Sequence, residues 1–114
     1  MSIPDSKTND FVFKLINNQW IWIGATRKPS NRKAFSWRDG TAWSSWSAWY
    51  PKQPDDRSKG REDCVVYNRR RWHDATCEPR QNHFVCQKPT SGKNSKLIRK
   101  SYFHPNLCNN SILA

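Results

Sequence analysis

The stretch of residues 49–86 most constrains the fold, because it is long, polar and interrupted by three cysteines. Cys64 and Cys77 lie where one disulfide could close the segment between them. Four side chains with oxygen donors cluster around Pro54 or near this segment: Gln53, Asp55, Glu62 and Asp74. The pattern predicts an irregular loop stapled against a short sheet, with these groups converging on one point. Since Ca²⁺ takes about six to eight oxygen ligands in a flexible cage, we expect a calcium site here.

The size and the cysteine content indicate a single extracellular domain. A chain of 114 residues can bury a core but is marginal without further support. Four cysteines allow three pairings and are typical of a secreted disulfide framework, whereas no Cys-x-x-Cys pair suggests structural zinc. No apolar run has transmembrane length, and residues 1–20 do not resemble a signal peptide. We expect a secreted domain or part of an ectodomain, with its true N-terminus missing or excised.

The net charge of +11 makes a polyanionic partner worth considering. A sulfated glycan could bind the basic residues Arg27, Lys28, Arg32, Lys33 and the run Arg69-Arg70-Arg71. The ordinary alternative is a solvated charged surface. No nucleic-acid-binding motif is present, and no nucleophile is implied beside His73, so we expect neither nucleic-acid recognition nor catalysis.

Residues 5–18 are predicted to form a short amphipathic helix. Its apolar residues recur at spacings of about four: Phe11, Leu15 and Ile16. Asp5 or Ser6 can cap the first amides of this helix. The apolar face is expected to pack on the sheet.

Five short strands are predicted at residues 20–25, 34–37, 64–67, 70–74 and 83–87. Gly24 indicates a close backbone approach, and residues 38–40 suit a turn with positive φ. The basic residues 27–33 are predicted to form a loop. Residues 51–61 form a second, long polar loop of the kind that is usually functional. Residues 89–114 lack periodicity and are predicted to be a basic, largely disordered tail.

Residues 43–49, WSSWSAW, imitate two unrelated signatures. The first five letters have the spelling of the cytokine-receptor motif, and the tryptophan spacing resembles a thrombospondin type 1 repeat. The receptor motif needs many strands upstream, for which there is no room. The thrombospondin repeat should continue into a Cys-rich segment, whereas YPKQP follows here. Neither alternative fits its surroundings.

An ordered set of motifs resembles the second half of a C-type lectin-like domain. In chain order these motifs are Gln53-Pro54-Asp55, Glu62-Asp63-Cys64, Trp72-His73-Asp74 and Phe84-Val85-Cys86. The match extends upstream through Asn9-Asp10-Phe11, Trp22-Ile23-Gly24-Ala25 and Phe35-Ser36-Trp37. The resemblance covers residues 5–88. It implies an α+β fold of short antiparallel sheets with a flanking helix and a long irregular loop for calcium and sugar. It also implies a domain that lacks its first strand and helix.

The resemblance also implies a ligand. Family members with Gln-Pro-Asp prefer galactose and N-acetylgalactosamine, whereas mannose-type members carry Glu-Pro-Asn. By this resemblance the cation ligands are Gln53, Asp55, Glu62, His73 and Asp74, of which the first four also bind the sugar. Two positions depart from the pattern. His73 replaces an asparagine and is a poor ligand for a hard cation, and Arg57 stands where galactose-type members usually carry an aromatic residue.

Two questions stay open at this point. Cys64 and Cys77 are predicted to form a structural disulfide, but the family partner of Cys86 is missing. Cys86 is unpaired, pairs with Cys108, or has lost its partner with an upstream segment, which we favour. The alternative function is a lectin-like interaction domain that recognises a protein or a sulfated glycan. In that case the loop is solvated and is held by ion pairs with Arg57, Lys59 and Arg61. The oligomeric state is not predicted.

Overall fold

The computed structural model of the chain describes residues 1–16, 18–58, 60–78, 83–89 and 95–100, with the backbone alone for residues 86–89 and 95–100. Its elements are α1 (Ser6–Ile16), β1 (Ile21–Lys28), β2 (Asn31–Trp37), β3 (Cys64–Asn68), β4 (Arg71–Ala75), β5 (His83–Pro89) and β6 (Ser95–Lys100). The strands form one sheet in the order β4-β3-β1-β5-β6, and β2 pairs with β1 outside this path. The predicted α+β architecture is confirmed.

Strand β1 is the centre of the sheet. It pairs antiparallel with β2 and β3, and parallel with β5. The N–H of Gly24 donates to the carbonyl of Met1 at 2.8 Å, and a Cβ added to Gly24 would lie 2.8 Å from the same oxygen. The close backbone approach predicted at Gly24 is therefore confirmed.

Helix α1 has the predicted cap, and of its predicted apolar residues Ile16 and Leu15 pack on the core, whereas Phe11 does not. The N–H of Thr8 donates to the Asp5 carboxylate at 2.8 Å, as an N-terminal cap requires. Val12 and Ile16 are buried, whereas Phe11 is 53% exposed. The prediction that Phe11 packs on the sheet is wrong, because the buried stripe of the helix runs through Asn9, Val12 and Ile16.

The core is built around Trp72, which is fully buried in β4. Four other indoles contact its ring with centroid distances of 5.6–6.0 Å: Trp37, Trp43, Trp46 and Trp49. Edge-to-face contacts of this kind stabilise a core beyond the area they bury. The WSSWSAW segment thus has a packing role in a fold unlike that of either family it imitates.

The buried side chain of Asn9 joins the helix to the strands. Its Oδ1 accepts from the indole N–H of Trp72 at 3.1 Å, and its Nδ2 donates to the Arg70 carbonyl at 2.9 Å. The Tyr67 hydroxyl donates to the Asn9 carbonyl at 2.7 Å. Each buried polar group in this set has a partner, so the polar network costs little to bury.

Two predicted loop or tail segments are corrected. Within residues 27–33, Arg27 and Lys28 belong to β1, and residues 31–33 begin β2, because the two strands form a tight hairpin. Residues 95–100, placed by prediction in a disordered tail, pair antiparallel with β5 as β6. The remaining predicted tail and the Cys86 side chain lie outside the described parts of the chain. That the domain lacks the first strand and helix of the family fold stays a prediction.

Candidate functional site

The long loop between Trp49 and Cys64 is anchored at both ends. At its start, the N–H of Tyr50 donates to the Trp72 carbonyl at 3.0 Å, and the N–H of Trp72 donates to the Ala48 carbonyl at 2.9 Å. At its end, Cys64 forms the predicted disulfide with Cys77, with Cα atoms 5.1 Å apart. Two hydrogen bonds to β4 and one covalent bond therefore hold the loop against the sheet.

Three of the predicted cation ligands converge. One carboxylate oxygen each from Asp55, Glu62 and Asp74 lies within 4.8 Å of the others. Asp55 and Glu62 come from the loop, while Asp74 comes from the buried side of β4. We call these three residues the carboxylate cluster.

Gln53 adjoins the carboxylate cluster and is bonded to two of its members. Its amide Nε2 donates to Asp55 Oδ2 at 3.1 Å, and its Oε1 accepts from the N–H of Asp74 at 3.2 Å. The peptide bond between Gln53 and Pro54 is cis. Both ends of the amide therefore lie at the edge of the cluster, where they can donate and accept hydrogen bonds.

His73, the fifth predicted ligand, lies beside the cluster without joining it. It lines the same cavity of about 250 Å³, together with Trp20, Arg57 and members of the carboxylate cluster. Among the described residues, the atoms that come within 4.8 Å of one another are carboxylate oxygens and not the nitrogens of His73. The ring of His73 contacts Trp20 and Tyr50, with centroid distances of 5.3 and 5.0 Å. His73 is thus a wall of the cavity.

The Asp74 carboxylate accepts hydrogen bonds from the loop that carries the other members of the carboxylate cluster. Its Oδ1 accepts from the N–H of Asp55 at 3.0 Å, and its Oδ2 accepts from the N–H of Asp56 at 2.7 Å. Arg27 also donates to Oδ2, at 2.5 Å. The Asp74 carboxylate therefore fixes the backbone of the loop as well as contributing an oxygen to the cluster.

The charges in the cluster oppose one another. Burial raises the pKa of Asp74, and the nearby Asp55 charge adds to this effect. Burial likewise raises the pKa of Glu62, with the Asp74 charge contributing. For Asp55, burial acts in the same upward sense but is outweighed by hydrogen bonds, led by the N–H of Arg57, so its pKa is lowered. Partly buried carboxylates that repel one another suit a divalent cation, which would relieve the repulsion.

Two arginines that the sequence offered as candidates for a glycan surface, or as part of a solvated charged surface, instead support the loop. Arg27 is buried, with its guanidinium on Asp74 and its Nε donating to the Glu62 carbonyl at 3.1 Å. Arg32 donates to both Asp56 oxygens, at 3.0 and 3.1 Å, and to Asp63 at 2.8 Å. Arg27 is therefore buried away from a sulfated glycan, and the guanidinium of Arg32, which is 40% exposed, is already paired with two carboxylates. Since Arg27 lies two residues beyond the buried Ala25, a longer predicted strand would have pointed to its inward orientation.

The ion pairs of the loop differ from those predicted for a solvated loop, which were assigned to Arg57, Lys59 and Arg61. In the part of the chain that the structure describes, the loop carboxylates pair with Arg27 and Arg32. Arg57 contributes its backbone N–H to Asp55 and Glu62, at 3.2 and 2.9 Å. Lys59 lies outside the described residues. The support for the loop thus comes from the β1–β2 hairpin.

The sequence model of the Lectin C-type domain family matches residues 1–88. The chain belongs to this family. It is 35% identical over 89 residues to the human low affinity immunoglobulin epsilon Fc receptor, and 34% identical over 92 residues to mouse asialoglycoprotein receptor 2. These matches cover 77% and 75% of the chain but only 27% and 29% of the relatives, so the chain spans little more than a quarter of their length.

Solved structures of C-type lectins share the fold. The carbohydrate-recognition domain of human scavenger receptor C-type lectin is 26% identical, with a TM-score of 0.59 over 69% of this chain and 64% of that one. Human lithostathine is 25% identical, with a TM-score of 0.57 over 68% of this chain and 58% of that one. The C-type lectin domain family, to which this chain belongs, consists of non-enzymatic binding domains. In the described residues no helix is both long and apolar enough to cross a bilayer.

Proposed function

We propose that this C-type lectin domain binds Ca²⁺ at the carboxylate cluster and captures galactose-type sugars there, with no bond made or broken. The observation that carries the proposal is the convergence of Asp55, Glu62 and Asp74 within 4.8 Å, in a cavity that Gln53 also lines. Oxygen donors from carboxylates and an amide are the ligands that Ca²⁺ prefers. The human and mouse relatives named above are receptors, so we also propose that the domain works outside the cell.

Each residue of the site has a proposed role. Asp55, Glu62 and Asp74 would hold the cation, with the Gln53 amide oxygen beside them. When bound, the cation would supply open coordination positions to sugar hydroxyls. Gln53, Asp55 and Glu62 would hydrogen-bond the same hydroxyls and so orient the sugar. For His73 we propose a different role from the predicted one: its ring forms the wall of the cavity and supplies no bond to the cation.

The Gln53-Pro54-Asp55 triplet supports the choice of sugar. Its resemblance to the galactose-type triplet is a property of the sequence, and the relative named as an asialoglycoprotein receptor is consistent with it. The amide at position 53 and the carboxylate at position 55 present a donor and an acceptor in a fixed order. Exchanging them through Gln53→Glu with Asp55→Asn should therefore change which hydroxyl arrangement is accepted.

Retention on immobilised galactose tests this function. We expect retention in calcium and release by a chelator. The double variant Gln53→Glu/Asp55→Asn should lose retention on galactose and gain it on mannose, while the exposed Glu78→Gln control should behave as wild type. Wild-type retention that is absent in calcium, or unchanged by the chelator, would contradict the proposal.

A second candidate is recognition of a protein through the same fold. Two relatives, from human and mouse, are named as immunoglobulin epsilon Fc receptors, with 35% and 33% identity. A sulfated-glycan surface has less support, since Arg27 and Arg32 are engaged at the loop and Arg70 pairs with Asp10 at 2.7 Å. Binding that persists in chelator and weakens with salt would favour such a charged interface over the sugar site.

A further inference from the structure

We propose that Trp20 forms a second carbohydrate subsite, which packs against the sugar unit linked to the one held at the carboxylate cluster. This inference rests on the proposed function and extends it from a single sugar to an oligosaccharide. It assigns a role to a residue that sequence reasoning placed inside a buried strand.

Trp20 is unusual in its exposure. It immediately precedes β1, whose first residues, Ile21, Trp22 and Ile23, are all buried, yet the indole itself is 44% exposed. In the described parts of the chain, the other exposed large apolar side chains are Phe11 and Tyr50. Of these three residues only Trp20 lines the cavity. An exposed indole at the edge of a polar cavity is an apolar surface available to a ligand.

Trp20 contacts a neighbouring aromatic ring, which in turn contacts a third. Its indole contacts the imidazole of His73 at 5.3 Å between centroids, and His73 in turn stacks on Tyr50 at 5.0 Å with an interplanar angle of 22°. We call these three rings the aromatic strip. Tyr50 is 51% exposed, so the strip remains open to solvent on both sides of His73. The ring contacts fix the orientation of His73, and because the indole and imidazole planes are tilted by 53°, the exposed part of Trp20 is a separate aromatic face beside it.

The volume of the cavity suits a single sugar unit. At about 250 Å³ it is smaller than the roughly 300–1,000 Å³ of pockets that enclose drug-sized ligands. It therefore suits one monosaccharide with its hydroxyls toward the carboxylates. Because Trp20 lines this cavity and is also 44% exposed, a second unit joined to the first would lie against the part of Trp20 that faces solvent.

The chemistry of the aromatic strip fits a sugar. A pyranose ring has one face made largely of C–H groups, and the negative face of an aromatic ring attracts their positive hydrogens. Such a contact is apolar and depends little on which sugar unit is present or how it is linked. The amide and carboxylates of the cavity, by contrast, select particular hydroxyls. The carboxylate cluster would therefore determine specificity, and Trp20 would add affinity.

The test compares two ligands that share one galactose. Binding of methyl β-galactoside and of lactose, which carries a second sugar unit, is measured in calcium by calorimetry. Covering roughly 50 Å² of apolar indole corresponds to a change of about tenfold in affinity. We expect wild type to prefer lactose by about tenfold, Trp20→Ala to reduce this ratio below about twofold, and Trp20→Phe to retain most of it. Phe11→Ala, an exposed aromatic on α1, should leave the ratio unchanged.

The outcomes separate this inference from the proposed function. If wild type binds neither sugar in calcium, both are overturned. If wild type binds the two sugars equally, or if Trp20→Ala leaves the ratio unchanged, the subsite alone is overturned, and an exposed Trp20 would then suit a protein contact. A thermal shift by calcium in Trp20→Ala checks that its cluster is intact. Should that variant not fold, saturation transfer to the second sugar unit in wild type decides, and transfer confined to galactose overturns the subsite.

Discussion

Arg27 and Asp74 form a buried ion pair beneath the carboxylate cluster, with Nη2 and Oδ2 2.5 Å apart and side chains that are 3% and 0% exposed. Arg27 comes from β1 and Asp74 from β4, which are separated in the sheet by β3. The pair therefore crosses the sheet at the point where the loop is attached. One guanidinium partly neutralises a cluster that otherwise consists of acidic groups.

Arg27→Gln should destabilise the domain. Removing one partner of a buried ion pair leaves an uncompensated charge on Asp74, at a cost of about 3 kcal/mol in the free energy of unfolding. Urea denaturation measures this loss. Because Ca²⁺ would compensate the same carboxylate, we expect calcium to recover part of the stability. The exposed neighbour Lys28→Gln is the matched control, and an equal effect of both variants would contradict the role of the pair.

Arg32→Gln should change the acid titration of the loop. Hydrogen bonds from Arg32 lower the pKa of Asp56 to about 2, with help from the N–H groups of Glu62 and Gly60. Because the pKa of Asp56 is lower in the folded state, its ionisation stabilises the loop at any pH above the ordinary pKa of an aspartate. This stabilisation is lost as the pH falls toward about 2. Without Arg32, the Asp56 pKa should rise toward its ordinary range.

An NMR titration that follows the carboxyl carbon of Asp56 measures this shift. Lys33→Gln, which removes a positive charge from the same strand, serves as its control. A pKa for Asp56 that stays near 2 in Arg32→Gln would show that the backbone donors suffice.

Removing the disulfide should loosen the candidate site. Replacing Cys64 and Cys77 by serine frees two residues that are 13 apart in sequence, which corresponds to about 3 kcal/mol on the chain-entropy model. Because this bridge holds the end of the loop next to β3, calcium affinity should fall together with stability. Urea denaturation and a calcium titration of the double variant measure both effects. A loss below about 1 kcal/mol, with calcium affinity unchanged, would contradict a structural role for the bridge.

Motifs in the sequence were sufficient to predict the fold and the cluster. The order of the motifs and the spacing of Cys64 and Cys77 identified the loop, and the structure brings together the three carboxylates that were predicted to converge there, Asp55, Glu62 and Asp74. Trp72, which belongs to one of these motifs and to a predicted strand, is fully buried in the structure.

What the sequence did not predict depends on strand ends and register. Arg27 faces inward because β1 continues past Ala25, and Trp20 faces the cavity because β1 begins after it. A slip of one residue in the pairing register of β1 would reverse both orientations. Strand β6 was missed because its pairing with β5 comes from a free sheet edge rather than from any periodicity of its own.

His73→Asn should strengthen calcium binding several-fold. The substitution replaces an imidazole beside the carboxylate cluster by an amide oxygen, which is a harder ligand. It also removes ring contacts with Trp20 and Tyr50, so stability without calcium should fall by about 1 kcal/mol. Calorimetry with calcium and thermal unfolding measure the two effects. His73→Ala loses the ring without adding an oxygen, and equal calcium affinity in both variants would show that the amide oxygen does not reach the cation.

Thermal unfolding of wild type and Glu62→Gln, each with and without calcium, tests the carboxylate cluster most directly. Calcium should raise the Tm of wild type, because a ligand that binds only the folded state stabilises it by about 2.7 kcal/mol at 100 times its Kd. Glu62→Gln should lose most of this rise. Without calcium the same variant should be at least as stable as wild type, since burial and the Asp74 charge raise the pKa of Glu62 and disfavour its charged form. An unchanged Tm of wild type in millimolar calcium, or an equal rise in both proteins, would contradict the cation site.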